Sequence, residues 1–109
     1  MHGIMEKLNY EYQGGRKLNA VHAPTIAGVL SSGNLEVLVE PQDLGGRCSV
    51  EVLTAAHGFG PIWEAVLDDF FARHALADVR ISINDAGATP AVVSLRLDQA
   101  VEQFLGGRA

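Results

Sequence analysis

The residues of this chain that could do chemistry are few: one cysteine, Cys48, four histidines, His2, His22, His57 and His74, and a run of small polar residues, Ser31-Ser32-Gly33-Asn34. The histidines show no metal-ligand spacing. No two stand at i, i+4 on one helix face and a lone cysteine completes no zinc set, so no metal site is expected. Cys48 has the atoms of a nucleophile or thiol carrier, but it alternates with Val50 and Val52, which predicts an inward-facing strand residue. Ser32, His57 and Asp85 supply the residue types of a serine hydrolase. No nucleophile-elbow sequence surrounds Ser32, however, and no catalytic residue is assigned.

Two polar stretches remain. NDAGATP (Asn84–Pro90) reads as a turn in which glycine supplies an unusual dihedral and Asn, Asp and Thr satisfy backbone groups; as a functional loop, its free amides could hold an anion. Ser31 to Asn34 interrupts the apolar run that holds Val29, Leu30, Leu35, Val37 and Val39. On its own terms it is either a polar loop entering a strand or a covalent attachment point. An enzyme that modifies a serine needs an accessible hydroxyl, small neighbours and a yielding backbone, and Gly33 supplies the last of these.

The elements that would position these residues follow from periodicity. Leu8–Tyr12 alternates and ends at Gln13-Gly14-Gly15. Leu35–Glu40 is a second strand, closed by Pro41 and a Gly45-Gly46 turn. Arg47–Thr54 is a third, with Cys48, Val50 and Val52 on one face. The short connection between these last two predicts a hairpin. Pro61 suits the first turn of a helix in which Ile62, Trp63, Val66, Leu67, Phe70 and Phe71 recur at helical spacing, with Glu64, Asp68 and Asp69 opposite. Val79–Ile83 alternates again. Val93, Leu97, Val101 and Phe104 fit a helix capped by Thr89-Pro90, while Val93, Leu95 and Leu97 fit a strand. The β-branched residues favour a hairpin of Val79–Ile83 with Ala91–Leu97, then a short helix from Asp98 to Leu105. The expected fold is α+β: a single two-layer domain over residues 1–109, with residues 1–5 a loose extension. A largely antiparallel sheet of four or five strands carries two helices on one face, and the N-terminal strand lies at an edge.

Composition sets the class of partner. With 109 residues, 48% hydrophobic and 19% charged, the chain can build one core. No apolar stretch approaches the ~20 residues of a membrane span. The start MHGIMEKLNYEYQ lacks the basic end and apolar core of a secretory signal, and one cysteine suits a reducing cytoplasm. A net charge of -5 argues against gripping nucleic acid through phosphates. It suits docking onto basic protein surfaces, with Glu64, Asp68 and Asp69 as a candidate steering face.

SGNLEVL (Ser32–Leu38) resembles the modification segment of the malonate decarboxylase acyl carrier (delta subunit) family, and INDAGATPAVVSLRL (Ile83–Leu97) resembles a second family segment of the form NDxGATPxV. The likeness runs from about Met5 to the C-terminal helix. The citrate lyase gamma subunit is a more distant relative. The resemblance implies a non-catalytic carrier whose serine, Ser32 here, bears 2'-(5''-phosphoribosyl)-3'-dephospho-CoA through a phosphodiester. Its terminal thiol would hold acetyl and malonyl thioesters while malonate is decarboxylated to acetate and CO2. Such a tether raises the thioester's effective concentration at each active site in turn, and the cofactor brings the reactive sulfur. The implied partners are the acetyl-S-carrier:malonate transferase (alpha) subunit, the beta and gamma decarboxylase subunits, a prosthetic-group transferase and a malonyl transferase, all cytoplasmic. Ser31 stands where the family often has glycine, and Ala86 and Ala91 stand in place of an aromatic residue and a glycine. A citrate lyase-type carrier and an unmodified adaptor domain of the same fold are the alternatives.

Overall fold

The computed structural model describes residues 5–17, 25–27 and 34–105. Its strands are β1 (Glu6–Tyr12), β2 (Arg16–Lys17), β3 (Thr25–Ala27), β4 (Leu35–Pro41), β5 (Cys48–Thr54), β6 (Leu76–Ala77) and β7 (Val79–Asp85); its helices are α1 (Gly60–His74) and α2 (Pro90–Phe104). The main sheet has five strands in the order β1-β5-β7-β4-β3, with β2 and β6 forming a separate two-stranded pair. Three of the main-sheet pairings are antiparallel, and β5 with β7 is parallel. This is the expected α+β arrangement, and the N-terminal strand lies at an edge.

Strict alternation builds the inner layer. Leu35, Val37 and Val39, then Cys48, Val50 and Val52, then Val79, Ile81 and Ile83 are all buried on one face. The register sets Val37 against Ile83 and Val50 against Ile81, so the buried residues form continuous rows. Each fully buried aliphatic side chain of this kind contributes about 1.5–3 kcal/mol. Trp63, Leu67 and Phe70 of α1 and Val93, Leu97, Ala100, Val101 and Phe104 of α2 close over the rows. The edge strand is held beneath α1: the Tyr12 ring stacks on Phe71 with centroids 4.8 Å apart, and the Tyr10 hydroxyl donates to the Gly60 carbonyl at 3.2 Å. The opposite sheet face is mostly polar, with Glu51 of β5 pairing to Lys7 at 3.2 Å and to Arg80 at 3.4 Å, though Leu38 and Leu53 also lie on it.

Two expected hairpins are absent, and both corrections turn on β7. The strands around the Gly45-Gly46 turn do not pair with each other, because β7 lies between them. The connecting loop instead crosses the start of β7, where Asp78 fastens it. The Asp78 carboxylate accepts from Leu44 N at 3.0 Å and Gly46 N at 2.8 Å. Its backbone N–H donates to the Arg47 carbonyl at 2.7 Å, and its own carbonyl accepts from Gln42 N at 3.0 Å. A loop of that length easily covers the ~10 Å between strands that flank a third.

The second correction concerns Ala91–Leu97, which is helix and not strand, continuous from Pro90 to Phe104. β4 and β5 occupy both edges of β7 and leave no edge for a hairpin partner. Val93 and Leu97 satisfy either period. Leu95 decides, for it is 53% exposed while Ala100 and Phe104 are buried. The Thr89 hydroxyl accepts from Val92 N at 3.3 Å as an N-cap, with Pro90 in the first turn.

Candidate functional site

Several chain segments meet at one end of the sheet. Because β4 runs antiparallel to β7, the start of β4 lies beside the end of β7, with Leu35 opposite Asp85. β5, parallel to β7, ends at the same level, with Thr54 opposite Asp85. The crevice outside the carboxyl ends of adjacent parallel strands is a common place for a ligand.

Asp85 organises this end. Its buried carboxylate accepts from the Thr54 hydroxyl at 2.8 Å, from Gly87 N at 3.0 Å and from Ala88 N at 2.7 Å. The Thr54 hydroxyl in turn accepts from Ala56 N at 3.1 Å, and Ala55 N donates to the Asp85 carbonyl at 2.9 Å. Gly87 takes φ +124°, a value that L side chains rarely adopt. On the other side, Ala86 N donates to the Asn34 carbonyl at 2.9 Å. Asn34, the last residue of the first polar stretch, is therefore joined through backbone to the second.

Two hollows flank Asp85. The first, of about 310 Å³, is walled by Phe59, Ile62, Trp63, Val66, Pro90 and Val93 and lies between the starts of the two helices. At its rim Phe59 and Ile62 are 45% and 43% exposed. The second, of about 260 Å³, is lined by Met5, Asn34, Leu35, Glu36, Asn84 and Ala86. The Asn34 Oδ1 atom itself is buried and meets no hydrogen-bond partner among the described residues.

Ser31, Ser32 and Gly33 lie outside the described residues, as do His2 and His22. The chain places Ser32 two residues before Asn34. Cys48 faces the core, where burial pushes its thiol up to about 12. His57 is on the surface; His74 Nε2 meets Asp98 Oδ1 at 2.9 Å. Asp85 is bound to Thr54 and backbone amides, and no histidine is among its partners in these bonds. Glu64, Asp68 and Asp69 are exposed on α1 as expected, though Asp68 accepts from the Tyr12 hydroxyl at 2.8 Å and Asp69 pairs with Arg73 at 3.5 Å. Burial first, then the bond to Asp68, pushes the Tyr12 hydroxyl pKa up. Sequence reasoning did not single out Thr54, although its place after Cys48, Val50 and Val52 puts a polar group on the inward face. It also did not find the pocket.

Comparison with known proteins bears on the same segments. The sequence pattern of the malonate decarboxylase delta subunit matches residues 22–104. A malonate decarboxylase acyl carrier protein of Xanthomonas euvesicatoria is 61% identical over 105 residues, covering 96% of this chain and 100% of its own. The Stenotrophomonas maltophilia K279a and Burkholderia cepacia proteins of that name are 58% and 60% identical, covering 94% and 91% of this chain and 97% and 90% of their own. One chain in the crystal structure of a Pseudomonas malonate decarboxylase hetero-tetramer in complex with malonate superposes with a TM-score of 0.76 at 35% identity, over 92% of this chain and 99% of that one.

Proposed function

This chain belongs to the malonate decarboxylase delta-subunit family of acyl carrier proteins, non-catalytic subunits, and on that premise we propose that it carries acyl groups on an arm attached to Ser32. The arm is 2'-(5''-phosphoribosyl)-3'-dephospho-CoA in phosphodiester linkage, whose thiol holds acetyl and malonyl thioesters while malonate becomes acetate and CO2. The observation that carries this reading is the Ala86-to-Asn34 backbone bond. It ties the segment that follows Ser32 to the turn after Asp85, so the two stretches of family resemblance form one surface. The residues present suit such a group. The apolar hollow beside Asp85 suits its uncharged pantetheine portion.

The chain's own contribution is position. A tether whose root lies two residues along the chain from Asn34 replaces free diffusion of a thioester between active sites with a high local concentration. The partners in this reading are a transferase (alpha) subunit, the beta and gamma decarboxylase subunits, and in the cytoplasm the two enzymes that attach and first acylate the arm. Intact-mass measurement of Ser31→Ala and Ser32→Ala chains coexpressed with the attaching enzyme tests the site. The added mass is expected in the first and absent from the second. Loss in Ser31→Ala alone moves the site by one residue, and no added mass in the parent chain leaves an unmodified adaptor.

A further inference from the structure

We propose that the pocket between the starts of α1 and α2 shelters the arm's acetyl thioester, and that it does not accept the malonyl form. This rests on the attachment of the arm at Ser32. The pocket has the size of a small-molecule site, with about 310 Å³ behind a rim on which two large apolar side chains, Phe59 and Ile62, stand exposed. Its occupant follows from where the chain leads. Ser32 is two residues from Asn34, which extended chain covers in about 7 Å. Asn34 is bonded to Ala86, and Asp85, Gly87 and Ala88 on either side of Ala86 line the pocket. An arm rooted there reaches the pocket by folding back across a single turn.

The chemistry of the walls selects between the two acyl groups. An acetyl thioester is uncharged and ends in a methyl group, so entering the pocket exchanges water for apolar contact with Trp63, Val66 and Val93. A malonyl thioester ends in a carboxylate. Within the same walls it would lose its water, and among the described residues the lining offers no cation: its one ionisable side chain is the Asp85 carboxyl, which already accepts from Thr54, Gly87 and Ala88. The acetyl form is thus held back from hydrolysis between turnovers. The malonyl form stays out in solvent, available to the decarboxylating partner.

Trp63 is the chain's single tryptophan and forms part of the wall, so its fluorescence reports occupancy without any assay of activity. The full chain carrying the arm, verified by intact mass, is compared in its thiol, acetyl and malonyl states and with the unloaded protein. The expected result is a shorter-wavelength emission and weaker acrylamide quenching in the acetyl state alone. Ile62→Asp, at the exposed rim, is expected to abolish that difference and to make the acetyl thioester hydrolyse severalfold faster, with its thermal unfolding midpoint kept near that of the parent. A verified acetyl arm that leaves Trp63 emission and quenching unchanged overturns the pocket's role, and equal shifts with acetyl and malonyl overturn the selection. A Trp63 shift that appears only when the transferase or decarboxylase subunits are added, whatever the loading, assigns the pocket to a partner's side chain and likewise overturns the proposal. Absence of the added mass is a different result, for it removes the attachment itself.

Discussion

The Thr54 hydroxyl and the Asp85 carboxylate, both buried, meet at 2.8 Å at the shared end of β5 and β7. Replacing Thr54 by valine keeps the shape, removes a donor from Asp85 and strips Ala56 N of its acceptor. A loss of about 1–3 kcal/mol is expected in urea unfolding, with faster amide exchange at Gly87 and Ala88. An unchanged midpoint would mean that the two backbone amides hold Asp85 without help.

Two glycines give opposite expectations. A Cβ on Gly15 would fall 2.3 Å from the Leu76 carbonyl oxygen, where β2 and β6 pair, whereas one on Gly60 would meet nothing within 4 Å. Gly15→Ala is therefore expected to cost about 1–3 kcal/mol. Gly60→Ala, in the first turn of α1, should be neutral or stabilising by up to about 1 kcal/mol. Thermal unfolding of the pair checks both, and equal midpoints would refute the close approach at Leu76.

Alkaline pH should destabilise the fold. Burial pushes the Cys48 thiol up to about 12, and burial together with nearby carboxylates raises Tyr10 and Tyr12 as well. Each group keeps its proton in the folded state at a pH where the unfolded chain releases it. The stability they contribute is thus present in full below the unfolded values and lost as pH rises through the folded ones. For Cys48 that window runs from about pH 9 to about pH 12. Urea titrations across it should show a falling stability whose slope is shallower in Cys48→Ala. The same burial predicts that a thiol reagent labels Cys48 only after unfolding.

The acidic face of α1 offers a test of docking. Asp68 is bonded to Tyr12, so its reversal would disturb the edge strand as well as the surface charge. Asp69, whose partner is Arg73 one turn on within α1, is the cleaner probe. Asp69→Lys is expected to slow acyl transfer from the partner subunits severalfold at low salt and to match the parent at high salt. Equal rates at low salt would leave this face without a role in docking.

The strands were legible because one face of each is buried, which forces alternation at Leu35–Val39, Cys48–Val52 and Val79–Ile83. Which strand lies beside which was not. A short loop with two glycines suggests a hairpin, and nothing local announces that Asp78, far along the chain, will fasten that loop across a third strand. Val93 and Leu97 sit at a spacing shared by helix and strand, so what marks α2 is the Thr89-Pro90 start, together with Leu95, which is exposed, and Ala100 and Phe104, which are not. Of the site, the two polar stretches could be read directly. The pocket could not, since its walls come from separate segments that converge only because β5 and β7 run parallel.

The place of β7 bears on how the chain comes together as it is made. Among the described strands β1 pairs with β5 alone, so at ordinary synthesis rates its edge waits roughly two to eight seconds before Thr54 has been added. β3 and β4 can pair early, and β1 and β5 somewhat later, as two separate ribbons. Neither ribbon has a neighbour for its inner strand until β7 emerges and enters between them. Of the described strands, the last to leave the ribosome is the one that makes a single sheet of the two ribbons.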